Sequence, residues 1–398
     1  MKICIFTETY YPVVGGGETQ ARILADGLVA AGHSVLLLTR RSDASLKRYE
    51  NCGDVNIYRL APVGSGQLKK WGLLVSSLPM LIKLRNQYDL IFVSGYRIIG
   101  LTAVLVGKLL GKRVILKADS QGEMSGEFFT SGLQKFGTSP TSLIFRTFLR
   151  FRNFILKKAD ALSAISSEIA SEWTSSGIPS HKVHLIPNSV DTNRFHPVEP
   201  AQKSILREKL DLPKKATVVI YTGRLVSYKG LPLLLDVWNE LRRKHENLVL
   251  VLAGTGGLDI HNCEDELHEY VTSHGLENHI RFTGAVQNIP EYLQASDIFV
   301  FPTENDAFPS SIIEALACAL PVISTPVGAI KTIISDQKNG LLVQPGDHKQ
   351  LLKALDVMVS DSDFASRLGK TGRGTVQEHY SAVSATAQYI SLFQATLA

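Results

Sequence analysis

The chain has 398 residues, 44% of them hydrophobic and 20% charged, a composition that fits two globular domains and excludes a disordered or fibrous chain. Four scattered cysteines, Cys4, Cys52, Cys263 and Cys318, form no CxxC pair, which argues against a zinc site or disulfide framework and fits a reducing compartment. The net charge of +5 conceals an asymmetry, because residues 1–190 hold 23 Lys and Arg against 13 Asp and Glu, and the remainder 19 against 24. A basic half and an acidic half point to different partners.

In chain order, KICIF reads as a short apolar strand, interrupted at Glu8 and too short for a signal peptide. GGGETQARILADGLVAAGH predicts a glycine-rich turn feeding an amphipathic helix, and SVLLLT the next strand. Such a β-loop-α-β unit builds a parallel, doubly wound sheet. VNIYRL, YDLIFVSG, RVILKA and ALSAIS continue the strands, with helical segments between several of them. The longest apolar run, Ile98 to Gly111, carries Lys108 and is too short to span a bilayer, so it reads as a buried helix. The periodicity breaks at KVHLIPNSVDTNRFHP, and a helical AQKSILREKL follows. ATVVIYTGRL, NLVLVLAGTG, IRFTGAV, DIFVFPT, PVISTP and GLLVQP then predict six strands, mostly alternating with helices. Two doubly wound α/β domains therefore meet near residues 188–200, and SAVSATAQYISLFQATL closes the chain as a helix with an apolar stripe.

Three segments carry chemistry. Gly15, Gly16 and Gly17 stand between a strand and a helix start, where the backbone can approach a ligand and free N–H groups favour an anion. The spacing is not GxGxxG, so a dinucleotide fingerprint is absent, and a plain tight turn is the competing reading. YTGRLVSYKG ends a strand at Thr222–Gly223 and presents Arg224 and Lys229 in the next loop, where open α/β sheets bind ligands. A guanidinium fork and an ammonium suit a diphosphate, against a reading of two solvated loop cations. In DIFVFPTENDAFPSSIIEALACAL, a strand gives way to a loop with Glu304 and Asp306, then a helix start at Pro309 and Ser310 and a helix carrying Glu314. The helix start can face phosphate, and the carboxylates can accept hydrogen bonds from sugar or ribose hydroxyls. The competing reading makes Glu314 half of a buried ion pair and Asp306 a cap. The SDSDF stretch at 360–364 follows a helix rather than a strand end and reads as a surface loop, not a metal-sugar motif.

GRLVSYKG, followed by FTGAVQNIPEYLQASDIFVFPTENDAFPSSIIEALACALPVISTPVGAI, resembles the donor half of the retaining glycosyltransferases of family 4. Their signature is a Glu, seven residues, then a second Glu; GGGE and IPNSVDTNRF resemble the same family's N-terminal loop and interdomain segment. The resemblance implies a GT-B fold, two doubly wound Rossmann-like domains facing across a cleft. Residues 1–190 would be the acceptor domain, 191–378 the donor domain, and 379–398 a helix returning to the first. Arg224 and Lys229 match the pair that holds the donor's diphosphate, and Glu314 the glutamate on the nucleotide ribose. Asp306 falls at the first glutamate, near the transferred sugar, with Glu304 as a substitute. Gly223, Ala307, Phe308, Pro309 and Ser310 match the turns beside the sugar and phosphates, with the Ala307 and Phe308 amides available. Gly16 and Gly17 match the loop over the diphosphate, while Val286 and Gln287 offer backbone contacts to the base. Gly is usual where Ala319 and Ser189 stand. Many members carry a His after the strand equivalent to RVILKA; here Asp119 or Ser120 takes that place, and Asp119 is assigned to catalysis.

The implied activity is transfer of a sugar from a UDP- or GDP-sugar to a glycan or lipid-linked acceptor in polysaccharide or glycolipid synthesis, with no cofactor and no metal. A glycoside hydrolase using the two carboxylates, a sugar-nucleotide-binding protein without catalysis, and a nicotinamide-dependent enzyme are the alternatives. LQKFGTSPTSLIFRTFLRFRNFILKKAD (133–160) places Lys135, Arg146, Arg150, Arg152, Lys157 and Lys158 among five Phe. Residues 67–87 form a second basic, aromatic stretch. Both suit an anionic membrane surface, and both equally suit helices packed on the sheet. No nucleic-acid module is recognisable. A cytoplasmic protein, peripheral on the inner face of the membrane, is the expected location.

Overall fold

The computed structural model describes residues 1–13, 15–64, 67–129, 142–257 and 259–398. The chain forms two compact units, one of residues 1–188 with 382–398 and the other of residues 189–381.

The first unit begins with β1 (Lys2–Thr7), α1 (Gly16–Ala30), β2 (Ser34–Arg40), β3 (Tyr49–Cys52), β4 (Val55–Leu60) and α2 (Gln67–Lys83). It continues through β5 (Leu90–Ser94), α3 (Ile99–Leu110), β6 (Arg113–Lys117), α4 (Leu143–Leu156), β7 (Ala161–Ala164), α5 (Ser167–Ser175) and β8 (Val183–Leu185). Among the described residues the sheet order is β3-β4-β2-β1-β5-β6-β7-β8. All neighbours are parallel except β3 against β4. The inner strands are buried on both faces, which is why KICIF, SVLLLT and LIFVS read as continuous apolar runs instead of alternating ones. The apolar run predicted as a buried helix is α3, ended by Gly111 in the left-handed conformation. Ser142 and Ser166 cap α4 and α5 by accepting the Phe145 and Ile169 amides.

The second unit carries α6 (Pro200–Lys209), β9 (Thr217–Thr222), α7 (Leu231–Leu241), β10 (Leu248–Ala253), α8 (Glu264–Ser273), β11 (Ile280–Gly284) and α9 (Ile289–Ala295). β12 (Ile298–Phe301), α10 (Ser310–Ala317), β13 (Val322–Ser324), α11 (Ile330–Ile333), β14 (Leu341–Leu342), α12 (His348–Ser360) and α13 (Ser362–Thr375) complete it. Its parallel sheet runs β11-β10-β9-β12-β13-β14. The order turns at β9, so the loops after β9 and β12 leave adjacent strands at their carboxyl ends, the ligand edge of such sheets. The SDSDF stretch is a helix cap, with Asp361 accepting the Phe364 amide at 2.8 Å to start α13.

The last helix, α14 (Ala382–Leu397), belongs to the first unit and packs on α1. Tyr389 and Phe393 stand against Phe92 with ring centroids 5.2 and 5.5 Å away, and the Tyr389 hydroxyl pairs with that of Ser163 at 3.1 Å. Burying each of these rings contributes roughly 1.5–3 kcal/mol, enough to hold a sixteen-residue helix to a distant segment of chain. No helix among the described residues is long and apolar enough to cross a membrane.

Candidate active site

Two loops of the second unit build the site. β9 ends in Tyr221-Thr222-Gly223, with Tyr221 stacked on Phe301 of β12 at 5.5 Å and the Tyr221 hydroxyl donating to the Arg224 carbonyl at 2.7 Å. Gly223 donates its amide to the Ala253 carbonyl at 3.0 Å, so the loop starts from a fixed point. A single helical turn over Ser227–Lys229 follows and closes at Gly230, whose φ is 72°. A Cβ at Gly230 would lie 2.1 Å from the Pro302 carbonyl, so only glycine brings this turn against the β12 loop.

That approach places Lys229, only 6% exposed, beside the acidic loop. Its Nζ donates to Asp306 Oδ2 at 2.7 Å and to the Asn305 carbonyl at 3.1 Å, above the Tyr228 and Phe301 rings. Asp306 Oδ1 accepts the Phe308 amide at 3.1 Å. The Phe308 amide, expected to be available to ligand, is therefore already engaged. Arg224 lies further out, donating from Nη1 to Asp259 and from Nη2 to the Tyr228 hydroxyl at 2.7 Å. Glu304 is exposed, and its backbone amide donates to the Tyr228 carbonyl at 2.8 Å.

α10 starts at Pro309 and Ser310, beside these cations in the same loop system. The Ile312 amide donates to the Pro309 carbonyl at 3.2 Å, while the Ser310 and Ser311 amides ahead of it precede any intrahelical acceptor and suit an anion. Ala307 accepts the Ala329 amide at 3.0 Å through its carbonyl. Glu314 lies on α10 between buried Ile313 and Ala315. Burial pushes its carboxyl up to about 7, and the attraction of Arg194 does not offset that. Arg194 also donates to the Gln287 carbonyl at 3.2 Å, so one of the base-contacting backbone groups expected at Val286 and Gln287 is in use. Ala319, where the resemblance expected Gly, holds a φ of 58°.

In the first unit, Gly15 precedes α1 and Gly16 and Gly17 open it. A Cβ on Gly17 would meet Asp119 Oδ2 at 3.3 Å, and one on Gly95 would meet it at 2.6 Å. Asp119 thus sits at the end of β6 in a space kept by two glycines, with Ser120 next to it. Its Oδ1 accepts from buried Lys117 Nζ at 3.1 Å. Burial opposes the Lys117 charge, but Asp119 and its neighbours outweigh it and raise the lysine pKa. Close by, Glu123 is buried, with Arg97 Nε at 3.5 Å, and burial pushes its carboxyl up to about 8.

Sequence reasoning overlooked Lys117, Glu123 and Asp259. Lys117 had a signal, a lone cation ending an apolar strand; Asp259 had none, because its partner is distant in sequence. Arg152 needs a correction. Counted among membrane-facing cations, it is 0% exposed and donates to the Glu123 carbonyl and to Asn153 Oδ1. Lys135 and the rest of 130–141 lie outside the described residues. Among the described residues no group of three or more His, Cys, Asp and Glu is placed to hold a metal ion.

A doubly wound sheet repeated in two units, with cations at the carboxyl edge of the second, is the architecture of the GT-B glycosyltransferases. Residues 14–194 match Glycosyltransferase Family 4 and residues 202–375 match Glycosyl transferases group 1, and the chain belongs to this family. It is 24% identical to an uncharacterized glycosyltransferase of Methanocaldococcus jannaschii over 388 residues, 96% of this chain and 95% of that one. The fold is similar to sucrose-phosphate synthase from Thermosynechococcus elongatus, with a TM-score of 0.80, 22% identity and 99% of each chain covered. Anabaena HepE, solved with UDP-glucose, gives a TM-score of 0.76 at 19% identity, again over 99% of each chain.

Proposed function

We propose that the protein transfers a sugar from a UDP- or GDP-sugar to a hydroxyl of a glycan or lipid-linked acceptor, with retention of anomeric configuration. The observation that carries this reading is the placement of Arg224 and Lys229 in one loop at the carboxyl end of β9, beside the start of α10. As the anomeric carbon–phosphate oxygen bond breaks, negative charge develops on the departing diphosphate. The two cations and the first amides of α10 stabilise it. The acceptor oxygen bonds to the anomeric carbon, and its proton passes to a phosphate oxygen of the leaving group, so no protein base is needed. Glu314, as carboxylate, accepts from the ribose hydroxyls. Asp119, held by Lys117, serves as a hydroxyl acceptor in the first unit. HepE, a protein of the same fold, was crystallised with UDP-glucose, the donor class that a cation pair suits.

Asp306 has both oxygens engaged, by Lys229 and the Phe308 amide, which speaks against its use as a free acid or base in glycoside hydrolysis. The test is a panel of UDP-, GDP- and ADP-sugars scored by thermal shift and by nucleotide release, with and without EDTA. A stabilising donor turned over equally in EDTA supports the reading. Tight nucleotide binding without release or transfer would instead favour a non-catalytic binding protein.

The acceptor reading draws on the surface of the first unit. On α4, Ile144 is 84% and Phe151 61% exposed, with Leu143, Phe154, Arg146 and Arg150 exposed around them. Trp71 of α2 meets Phe148 of α4 at 5.6 Å, joining that helix to exposed Val75 and Leu78. A large apolar face bordered by cations suits an anionic lipid surface, at which a lipid-linked acceptor would be met. Co-sedimentation with anionic liposomes at low salt, lost on neutralising Arg146 and Arg150, tests it. Equal recovery with neutral and anionic liposomes would remove it.

A further inference from the structure

The side chain of Arg224 is 59% exposed, yet its guanidinium is tethered at both ends. Nη1 donates to Asp259 Oδ2 and Nη2 to the Tyr228 hydroxyl. Asp259 is itself fixed, because its Oδ1 accepts the His261 amide at 3.0 Å. The loop bearing it is stitched to the Arg224 loop: the Ser227 amide donates to the His261 carbonyl at 2.9 Å, and the Cys263 amide to the Leu225 carbonyl at 3.1 Å. The His261 ring also stands edge-on to Tyr228 at 5.4 Å. Two anchored groups therefore hold an otherwise solvent-borne arginine, leaving Nε–H and the remaining Nη hydrogens as a fork for an anion.

We propose that Asp259 is a positioning residue for Arg224, orienting the guanidinium with Tyr228 toward the donor's diphosphate. The proposal rests on the reading that Arg224 meets that diphosphate. A long exposed arginine without its tether would spread over many rotamers, and binding would have to order it each time. The negative charge of Asp259 also repels a bound diphosphate. Solvent and salt screen that repulsion at an exposed site, whereas the tether acts at contact. Orientation is therefore the larger effect, and losing Asp259 weakens donor binding.

Asp259→Asn isolates this role, since the asparagine oxygen still accepts the His261 amide while the charged pair with Arg224 is lost. Titration calorimetry with UDP and GDP, and with UMP and GMP as controls, would be run on the wild type, Asp259→Asn, Arg224→Ala and the double variant. Expected is about tenfold weaker binding of the diphosphate by Asp259→Asn, unchanged binding of the monophosphate, and no further loss when Asp259→Asn is added to Arg224→Ala. Asp259→Glu should recover part of the affinity. Diphosphate binding by Asp259→Asn at or above the wild-type level overturns the proposal. So does an equal loss in the Arg224→Ala background, or an equal loss for the monophosphate. Wild-type affinity in Arg224→Ala alone, or no diphosphate binding by the wild type, removes the underlying reading instead.

Discussion

Replacing Glu314 by Gln should make the protein more stable at pH 8 while weakening its hold on nucleotide. The carboxyl, ordinarily ionising at 4.5, is pushed up to about 7 by burial on α10. Between these two values the unfolded chain has released its proton and the folded chain still keeps one. Stability therefore falls as pH rises from 4.5 to 7, and the full loss is present above 7. At about 1.4 kcal/mol per pH unit the loss comes to about 3.5 kcal/mol, and water reaching the half-buried residue reduces it to about 2 kcal/mol. For a unit of this size that corresponds to roughly 4–8 °C in melting temperature. Thermal unfolding of wild type and variant at pH 5 and pH 8 gives the difference directly, with other titrating groups common to both. The difference should be small at pH 5 and favour Gln at pH 8. In the same proteins, UDP or GDP affinity should rise with pH through 7 in the wild type. It should be about 10–100-fold lower and nearly pH-independent in the variant, since hydrogen bonds to a charged acceptor contribute about 1.5–3 kcal/mol. A stability difference that is the same at both pH values, or that favours Glu at pH 8, would refute the account of burial.

Arg224→Ala should lower transfer by about 10²–10³-fold with an unchanged melting curve, because the side chain is exposed; near-normal turnover would refute its role. Lys229 is a poorer test, as removing it leaves Asp306 without its buried cation. Ala319→Gly should raise stability by about 1 kcal/mol, read from denaturant midpoints, since alanine at a φ of 58° carries strain that glycine does not. Glu123→Gln should remove a second pH dependence: with its carboxyl pushed up to about 8, the wild type loses stability relative to the variant as pH rises from 4.5 to 8.

The doubly wound character of both units was legible because parallel strands buried on both faces leave unbroken apolar runs, and the helices between them carry a helical stripe. β3 and β8 were harder to see: YENC is a polar edge strand, and VHL has three residues. The loop after β9 was legible as a turn at a strand end, with Gly223 and Gly230 bracketing Arg224 and Lys229. Which carboxylate each cation meets was not legible, because those contacts join residues 35 and 77 positions apart. Arg152 misled for a related reason. α4 carries Arg146, Arg150 and Arg152 among its apolar residues, and the sequence alone does not say which of them turns inward; the buried carbonyl of Glu123 decides it.

Asp306 illustrates what a motif conceals. Read along the chain, Asp306 and Glu314 are two acids spaced like a catalytic couple. In the fold they sit in opposite electrostatic settings. Asp306 is charge-compensated, with one oxygen on the Lys229 ammonium and the other on a backbone amide, and it helps to shape its own loop after β12. Glu314 has apolar neighbours, and burial outweighs the attraction of Arg194, so its ionisation is costly until a ligand supplies donors. A shorter side chain suits the first role: the carboxylate of Asp306 reaches back to an amide two residues on, the turn that aspartate forms readily and glutamate does not. The aspartate at this position is thus explained by the loop it folds, whereas the burial of Glu314 is the setting from which the proposed function has it receive the nucleotide hydroxyls.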